Sequence, residues 1–313
     1  MSRALDHFMS GLVDYAGLFP PAALDVPTAV AAYAAHRRED AAWMLGRFIA
    51  PAGRLAEVGH AAAAALGAGE SWEFSALVGA RDDAAAALGA VAAQAEAIAA
   101  FEADHDDRLL VTCLEAPVPR DAGAGFAAEF AAVLADEGLG GRELFLEVLP
   151  GDDDEAALAA IATAAATSDD FERIGAKLRC GGVTADAFPS CERIAAVIGS
   201  CARLALPLKA TAGLHHPVRH RAAEPDVMMH GFLNVFGAGL LAWSGATDAA
   251  GLLACVAETE AAAFAFDDEA FAWRERRVAA ADVARLRGRA LCGFGSCSFA
   301  EPRDDLRTLG LLA

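Results

Sequence analysis

Short apolar runs alternate with longer alanine-rich stretches along most of this chain. The runs at 44–50, 72–78, 109–114, 144–149, 174–180, 207–211 and 290–299 are rich in Val, Leu, Ile and Phe and are bounded by turn residues, which predicts buried strands. The stretches at 27–38, 84–102, 122–136, 155–167 and 189–203 predict helices between them. Asp25 stands as an N-cap just ahead of Pro27, a residue suited to a first helical turn, and Asp152 to Asp154 place acids at the start of another helix. Strand, helix, strand, repeated in this way, argues for a parallel α/β fold. No glycine-rich fingerprint follows the first strand, so an open dinucleotide-binding sheet is disfavoured. The length suits a (β/α)8 TIM-type barrel. Its seventh or eighth unit is expected to be irregular, because residues 231–243 are apolar enough for either a buried helix or a strand. Without a linker or fixed-period repeat, residues 1–313 read as a single barrel domain, with 1–24 as an N-terminal cap segment and 300–313 as a C-terminal tail.

Composition narrows the function. Hydrophobic residues make up 56% and charged residues 22%, which excludes general disorder. A net charge of −19 has the wrong sign for binding phosphate backbones or an anionic membrane, so neither nucleic acid nor membrane is an expected partner. The first residues lack the charged–apolar–small order of a signal peptide. Seven cysteines, an odd number with no CxxC pair, suggest reduced thiols and a cytoplasmic location. A homo-oligomer remains open.

The basic residues carry a sharper clue. Of 25, only Lys177 and Lys209 are lysine; the rest are arginine. Where arginine serves almost everywhere, a retained lysine marks a place that needs an amine able to lose its proton. Period-two alternation puts Lys177 and Arg179 on one face of their strand, toward the barrel mouth, with Leu178 facing the helices. Lys209 occupies the matching place on the next strand. A unit charge about 6 Å away contributes on the order of 3 kcal/mol at an effective dielectric near 20, about two pKa units. The expectation is therefore a depressed amine, forming carbonyl adducts with a midpoint below about pH 9. The competing reading makes the two lysines phosphate-binding cations.

Glu115 and Glu147 lie in apolar runs, where an unpaired carboxylate is costly. Pairing with Lys177, Arg179 or Lys209 would remove that cost, as would a metal. His215 and His216 follow a strand end and are candidates for substrate contact; Thr211 and Gly213 precede them. Ser296 and Ser298, in a Gly/Ser turn near the chain's end, are candidates for anion contact. Glu115, Glu147, His215 and His216 are the alternative set for a divalent metal. Asn234, the only asparagine, reads as either a satisfied core amide or a substrate contact, the first favoured. Asp14 and Tyr15 belong to the expected cap or pre-barrel loop, and whether they reach the barrel mouth is left open.

The run Leu144-Phe-Leu-Glu147-Val-Leu, then Ile174-Gly-Ala-Lys177, then Leu208-Lys209-Ala-Thr-Ala-Gly213, resembles class I aldolases of the deoxyribose-phosphate aldolase type. The resemblance spans about seventy residues. It implies Lys177 as the Schiff-base former and Lys209 as the cation that lowers its pKa. The chain departs from the family pattern at Leu178-Arg179-Cys180 and at Leu214-His215-His216, which leaves the substrate open. The expectation is an aldolase-like carbon–carbon lyase acting on a small carbonyl compound, phosphorylated or not. Lys177, Lys209, Arg179 and Glu147 would be catalytic, and Thr211, Gly213, His215, His216, Ser296, Ser298 and Glu115 would contact substrate. No cofactor is expected. The alternatives are a metal-dependent barrel lyase or hydrolase and a non-catalytic barrel that binds a small anion.

Overall fold

A computed structural model describes residues 2–149 and 153–312. Among these, eight parallel strands close into a barrel: β1 (Val13–Tyr15), β2 (Leu45–Pro51), β3 (Trp72–Leu77), β4 (Leu109–Pro117), β5 (Glu143–Val148), β6 (Arg173–Arg179), β7 (Leu208–Thr211) and β8 (Leu291–Ser296). Helices alternate with the strands and cover the outside, giving the (β/α)8 TIM-type architecture. Between barrel and helices, Tyr33, Phe48, Trp72, Phe74 and Phe101 pack as a chain of tilted and edge-on rings 5.0–5.7 Å apart.

Local signals place the helices as polar capping requires. Asp25 accepts the Thr28 N–H at 2.9 Å and opens Val26–His36, and Ser190 accepts the Arg193 N–H at 3.2 Å and opens Cys191–Arg203. Asp153 accepts from the N–H groups of Glu155 and Ala156 and opens Asp154–Thr167; Asp152 lies outside the described residues. The predicted helix 84–102 is two, Ala84–Gly89 and Val91–Ala103.

Two boundaries need correction. Residues 1–24 are not a cap: Val13–Tyr15 is a barrel strand, pairing with β8 through Val13↔Phe294, Asp14↔Gly295 and Tyr15↔Ser296, and with β2 on its other edge. Three residues with an acid in the middle carry no strand pattern of their own; closure of the barrel recruits them. Residues 300–313 are not merely a tail, because Ala300–Thr308 is a helix whose Leu306 is fully buried.

The irregular unit lies between β7 and β8. It holds a hairpin (His220–Ala222 with Val227–Met229), the helices Phe232–Trp243 and Ala249–Ala257, and an antiparallel sheet of Phe264–Phe266, Ala270–Trp273 and Arg276–Ala279. The ambiguous run 231–243 is thus a helix, buried from Phe232 through Leu241. Asn234 sits within it as a saturated amide. Its Nδ2 donates to the carbonyls of Cys255 and Glu258 at 2.9 and 2.8 Å, and its Oδ1 accepts from the Arg219 N–H at 2.8 Å.

Candidate active site

Barrel registry brings the two lysines together. Glu147, Lys177 and Lys209 are Cα partners on β5, β6 and β7, and Arg179 pairs with Thr211 one pleat farther toward the C-terminal end. Alternation turns Lys177, Lys209 and Glu147 inward, while Leu178 packs outward. Lys177 is 5% exposed and Lys209 1%.

The interior charges alternate in sign. Lys209 Nζ lies 2.5 Å from Asp14 Oδ2 and 2.6 Å from Glu115 Oε1. Glu115 Oε2 takes Lys177 Nζ at 2.7 Å, and Lys177 also reaches Glu147 Oε2 at 3.1 Å. Glu147 Oε1 accepts Arg179 Nε at 2.9 Å and Arg81 at 3.4 Å. The Ser75 hydroxyl donates to Glu115 at 2.6 Å, and the Arg47 N–H donates to Asp14 at 2.7 Å. Lys209 Nζ also stands 5.8 Å from the centre of the Phe145 ring. With each carboxylate meeting at least one cation, burial of these charges is compensated.

This arrangement corrects the electrostatics expected from two neighbouring lysines. Burial pushes the Lys177 ammonium toward deprotonation, but Glu115 and Glu147 outweigh it and raise its pKa above 10.5. Burial opposes the charge on Lys209 as well, yet Asp14 and Glu115 help to hold its pKa well above the ordinary value. For the carboxylates, burial favours the neutral acid and the cations prevail. Lys177 and Lys209 hold Glu115 below the usual range, and Lys177, Arg179 and Arg81 bring Glu147 down to about 2. Lys209 does not depress Lys177 by unshielded repulsion, because Glu115 lies between the two amines.

Lys177, Glu115 and Glu147 form part of the floor of a cavity of about 370 Å³ at the C-terminal end of the barrel. Its walls combine apolar groups, among them Phe19, Ile49 and Leu77, with Arg81, Arg179 and His215. That size and mixture suit a small organic molecule with a polar group. Thr211 and Gly213 also line it. Gly213 has φ +70°, and a Cβ there would come within 2.8 Å of the Gly181 Cα, so the close approach of the loops after β6 and β7 needs glycine. Lys209 lies beneath this surface, bonded to Glu115.

Other predicted residues fall elsewhere. His216 and Ser298 line an adjoining outer cavity of about 820 Å³, which His215 shares. His216 Nδ1 lies 2.5 Å from Asp305 Oδ2, and His215 Nδ1 lies 3.0 Å from Glu301 Oε2. Ser296 is 3% exposed and donates its hydroxyl to the Ser298 carbonyl at 2.6 Å, while the Ser298 hydroxyl accepts the Glu301 N–H at 3.2 Å. The Ser296 proton is thus used within its own turn, while the Ser298 oxygen caps the following helix and the residue lines the outer cavity rather than the one above Lys177. The alternative metal set is not assembled either. Glu115 and Glu147 are held by cations, the histidines face acids of helix Ala300–Thr308, and no group of three His, Cys, Asp or Glu side chains among the described residues is placed to hold a metal.

Asp14, whose role the sequence left open, is the partner of Lys209. Two contributors escaped the sequence reading, and the first, Ser75, bonds Glu115. Arg81 follows β3, at the end of the barrel where functional loops gather, and that position was the available signal for it. Compared with protein-family models, curated proteins and solved structures, the chain matches none.

Proposed function

We propose that this barrel is an aldolase-like carbon–carbon lyase that binds a small carbonyl compound as an imine of Lys177. The observation carrying this reading is a single primary amine, buried at the floor of a ligand-sized cavity, with two carboxylates in hydrogen-bond reach. The likeness of the segments around Glu147, Lys177 and Lys209 to the deoxyribose-phosphate aldolase type supports it. An intracellular, reducing location fits the seven free thiols.

In this reading, Lys177 reacts as the neutral amine, a minor form reached by loss of its proton to water, and the free nitrogen attacks the carbonyl carbon. The carbonyl oxygen leaves as water after receiving two protons, one of them from the new N–H. The resulting cationic imine accepts the electron pair of the breaking carbon–carbon bond, while a base removes the proton of the hydroxyl on the departing carbon. Glu147 and His215 both reach the cavity and are the proposed proton carriers. Lys209, bonded to the opposite oxygen of Glu115, limits how basic that carboxylate becomes and so positions the charge rather than touching substrate.

The test is borohydride reduction in the presence of a panel of aldehydes and 2-oxo acids, followed by peptide mass analysis. A stable increment on the Lys177 peptide is expected, and Lys177→Arg abolishes it while preserving the folded spectrum. Turnover without trapping on either lysine overturns the proposal. A second reading, a non-catalytic small-anion-binding barrel, is favoured by one observation: the resting Lys177 is an ammonium, with Arg81, Arg179 and His215 around the same cavity. It expects Lys177→Arg to weaken anion binding only modestly and expects no imine with any member of the panel.

A further inference from the structure

Cys297 follows β8 on the wall shared by the central and outer cavities. Its sulfur lies 4.0 Å from each ring nitrogen of His215, whose Nδ1 is 3.0 Å from Glu301 Oε2. Glu301 is fixed in turn by the first turn of helix Ala300–Thr308, where its N–H is capped by Ser298. Cysteine, imidazole and carboxylate thus cluster beside an open cavity, with the carboxylate on Nδ1 and the sulfur equidistant from both ring nitrogens, and none of the three is ion-paired with Lys177.

Burial discourages charge on His215, but its contacts with Cys297 and Glu301 outweigh that and lift the imidazole to about 9. It is therefore an imidazolium at neutral pH, a cation 4.0 Å from the sulfur and placed to give a proton to an oxygen leaving that sulfur. The other cysteines are differently placed. Cys113, Cys180, Cys201 and Cys255 are buried, and burial pushes the first three up to about 11, 12 and 12. Cys191 and Cys292 are partly exposed but line neither of these two cavities.

We propose that Cys297 is an oxidation site of this protein, activated by His215 and Glu301 and open to small hydroperoxides. In the step, the thiolate sulfur forms a bond to the terminal peroxide oxygen as the O–O bond breaks. Sulfur is oxidised by two electrons to the sulfenic acid, and the peroxide is reduced, leaving as hydroxide or alkoxide. The proposal is independent of the imine reading. It places an oxidisable group on the wall of the cavity that also holds Lys177.

The test treats the full-length protein with substoichiometric hydrogen peroxide, traps sulfenic acid with dimedone and quantifies each cysteine peptide by mass spectrometry. Adduct on Cys297 is expected to form at least about tenfold faster than on Cys191 or Cys292, with His215→Gln slowing it about tenfold. Glu301→Gln, on an exposed helix turn, gives a smaller slowing and serves as the second variant if His215→Gln is poorly folded. Labelling of Cys297 no faster than of Cys191 and Cys292 overturns the proposal. So does a Cys297 rate unchanged in a folded variant of His215 or Glu301.

Discussion

Both ends of the barrel gather charge around a cavity, yet they are built from different chemistry. At the N-terminal end, Glu143 receives Arg47 at 2.7 Å and Arg173 at 2.8 Å, and Arg47 also donates to the Thr112 hydroxyl at 2.8 Å. Arg287 spends its guanidinium on the carbonyls of Phe8, Ser10 and Leu291. Burial pulls Arg287 down to about 10, which still leaves it charged at neutral pH. The cavity there, about 540 Å³, is larger than the one above Lys177. Arginines line both cavities. What distinguishes the ends is that only the cavity above Lys177 also presents an amine able to exchange a proton and form a bond.

The largest effect that would break this contrast is loss of chemistry. Lys177→Arg is expected to lower turnover by about three orders of magnitude or more and to eliminate borohydride trapping. Arg173→Lys at the opposite end should leave trapping on Lys177 intact. Equal losses in the two variants would mean that the ends are not chemically distinct.

Stability separates the ends next. Glu115→Gln removes the anion shared by two buried ammoniums and is expected to cost about 3–5 kcal/mol in urea denaturation. Glu143→Gln, whose arginine partners are 22% and 21% exposed, is expected to cost less, about 1–3 kcal/mol, because water reaches those cations. A larger loss for Glu143→Gln would reverse the assignment of the more deeply coupled network.

The pH profile sharpens the comparison further. With Lys177 raised above 10.5 by Glu115 and Glu147, the unliganded amine becomes neutral only in alkali. Trapping with a small neutral aldehyde should therefore rise through a midpoint above 10.5 in the wild type. Glu147→Gln removes one of the two anions and should move that midpoint down. A wild-type midpoint below about 9 would restore the depressed amine expected from two adjacent lysines alone.

The smallest expected effect is on acid stability. Glu147 has a folded pKa of about 2 against an ordinary 4.5, so its contribution is present above pH 4.5 and is lost as pH falls toward 2. Unfolding free energy measured across that interval should fall more steeply for wild type than for Glu147→Gln.

Much of this architecture was legible in the chain. The seven predicted strand runs each overlap a barrel strand, and the inward face of Lys177 with Arg179 follows from alternation alone. Rarity of lysine against abundant arginine directed attention to the two amines that occupy the interior. Val13–Tyr15 was not legible as a strand, since three residues centred on Asp14 are too few to show a period and pair only when β8 and β2 flank them. Ser296 and Ser298 resembled an anion loop in composition, but the Ser296 proton goes to the Ser298 carbonyl and Ser298 lines the outer cavity, a placement no local pattern encodes.

By itself, then, the sequence determined the alternation of strands and helices, the facing of side chains along each strand and the scarcity of titratable cations. These are local properties, set by backbone period and side-chain chemistry. Only the tertiary structure decided which charges meet. Asp14, Ser75, Glu115, Glu147, Lys177 and Lys209 come from six strands, and closure of the barrel sets their spacing. That spacing puts Glu115 between the amines and reverses the direction of the Lys177 shift, because a Coulomb interaction depends on distances that no single strand contains.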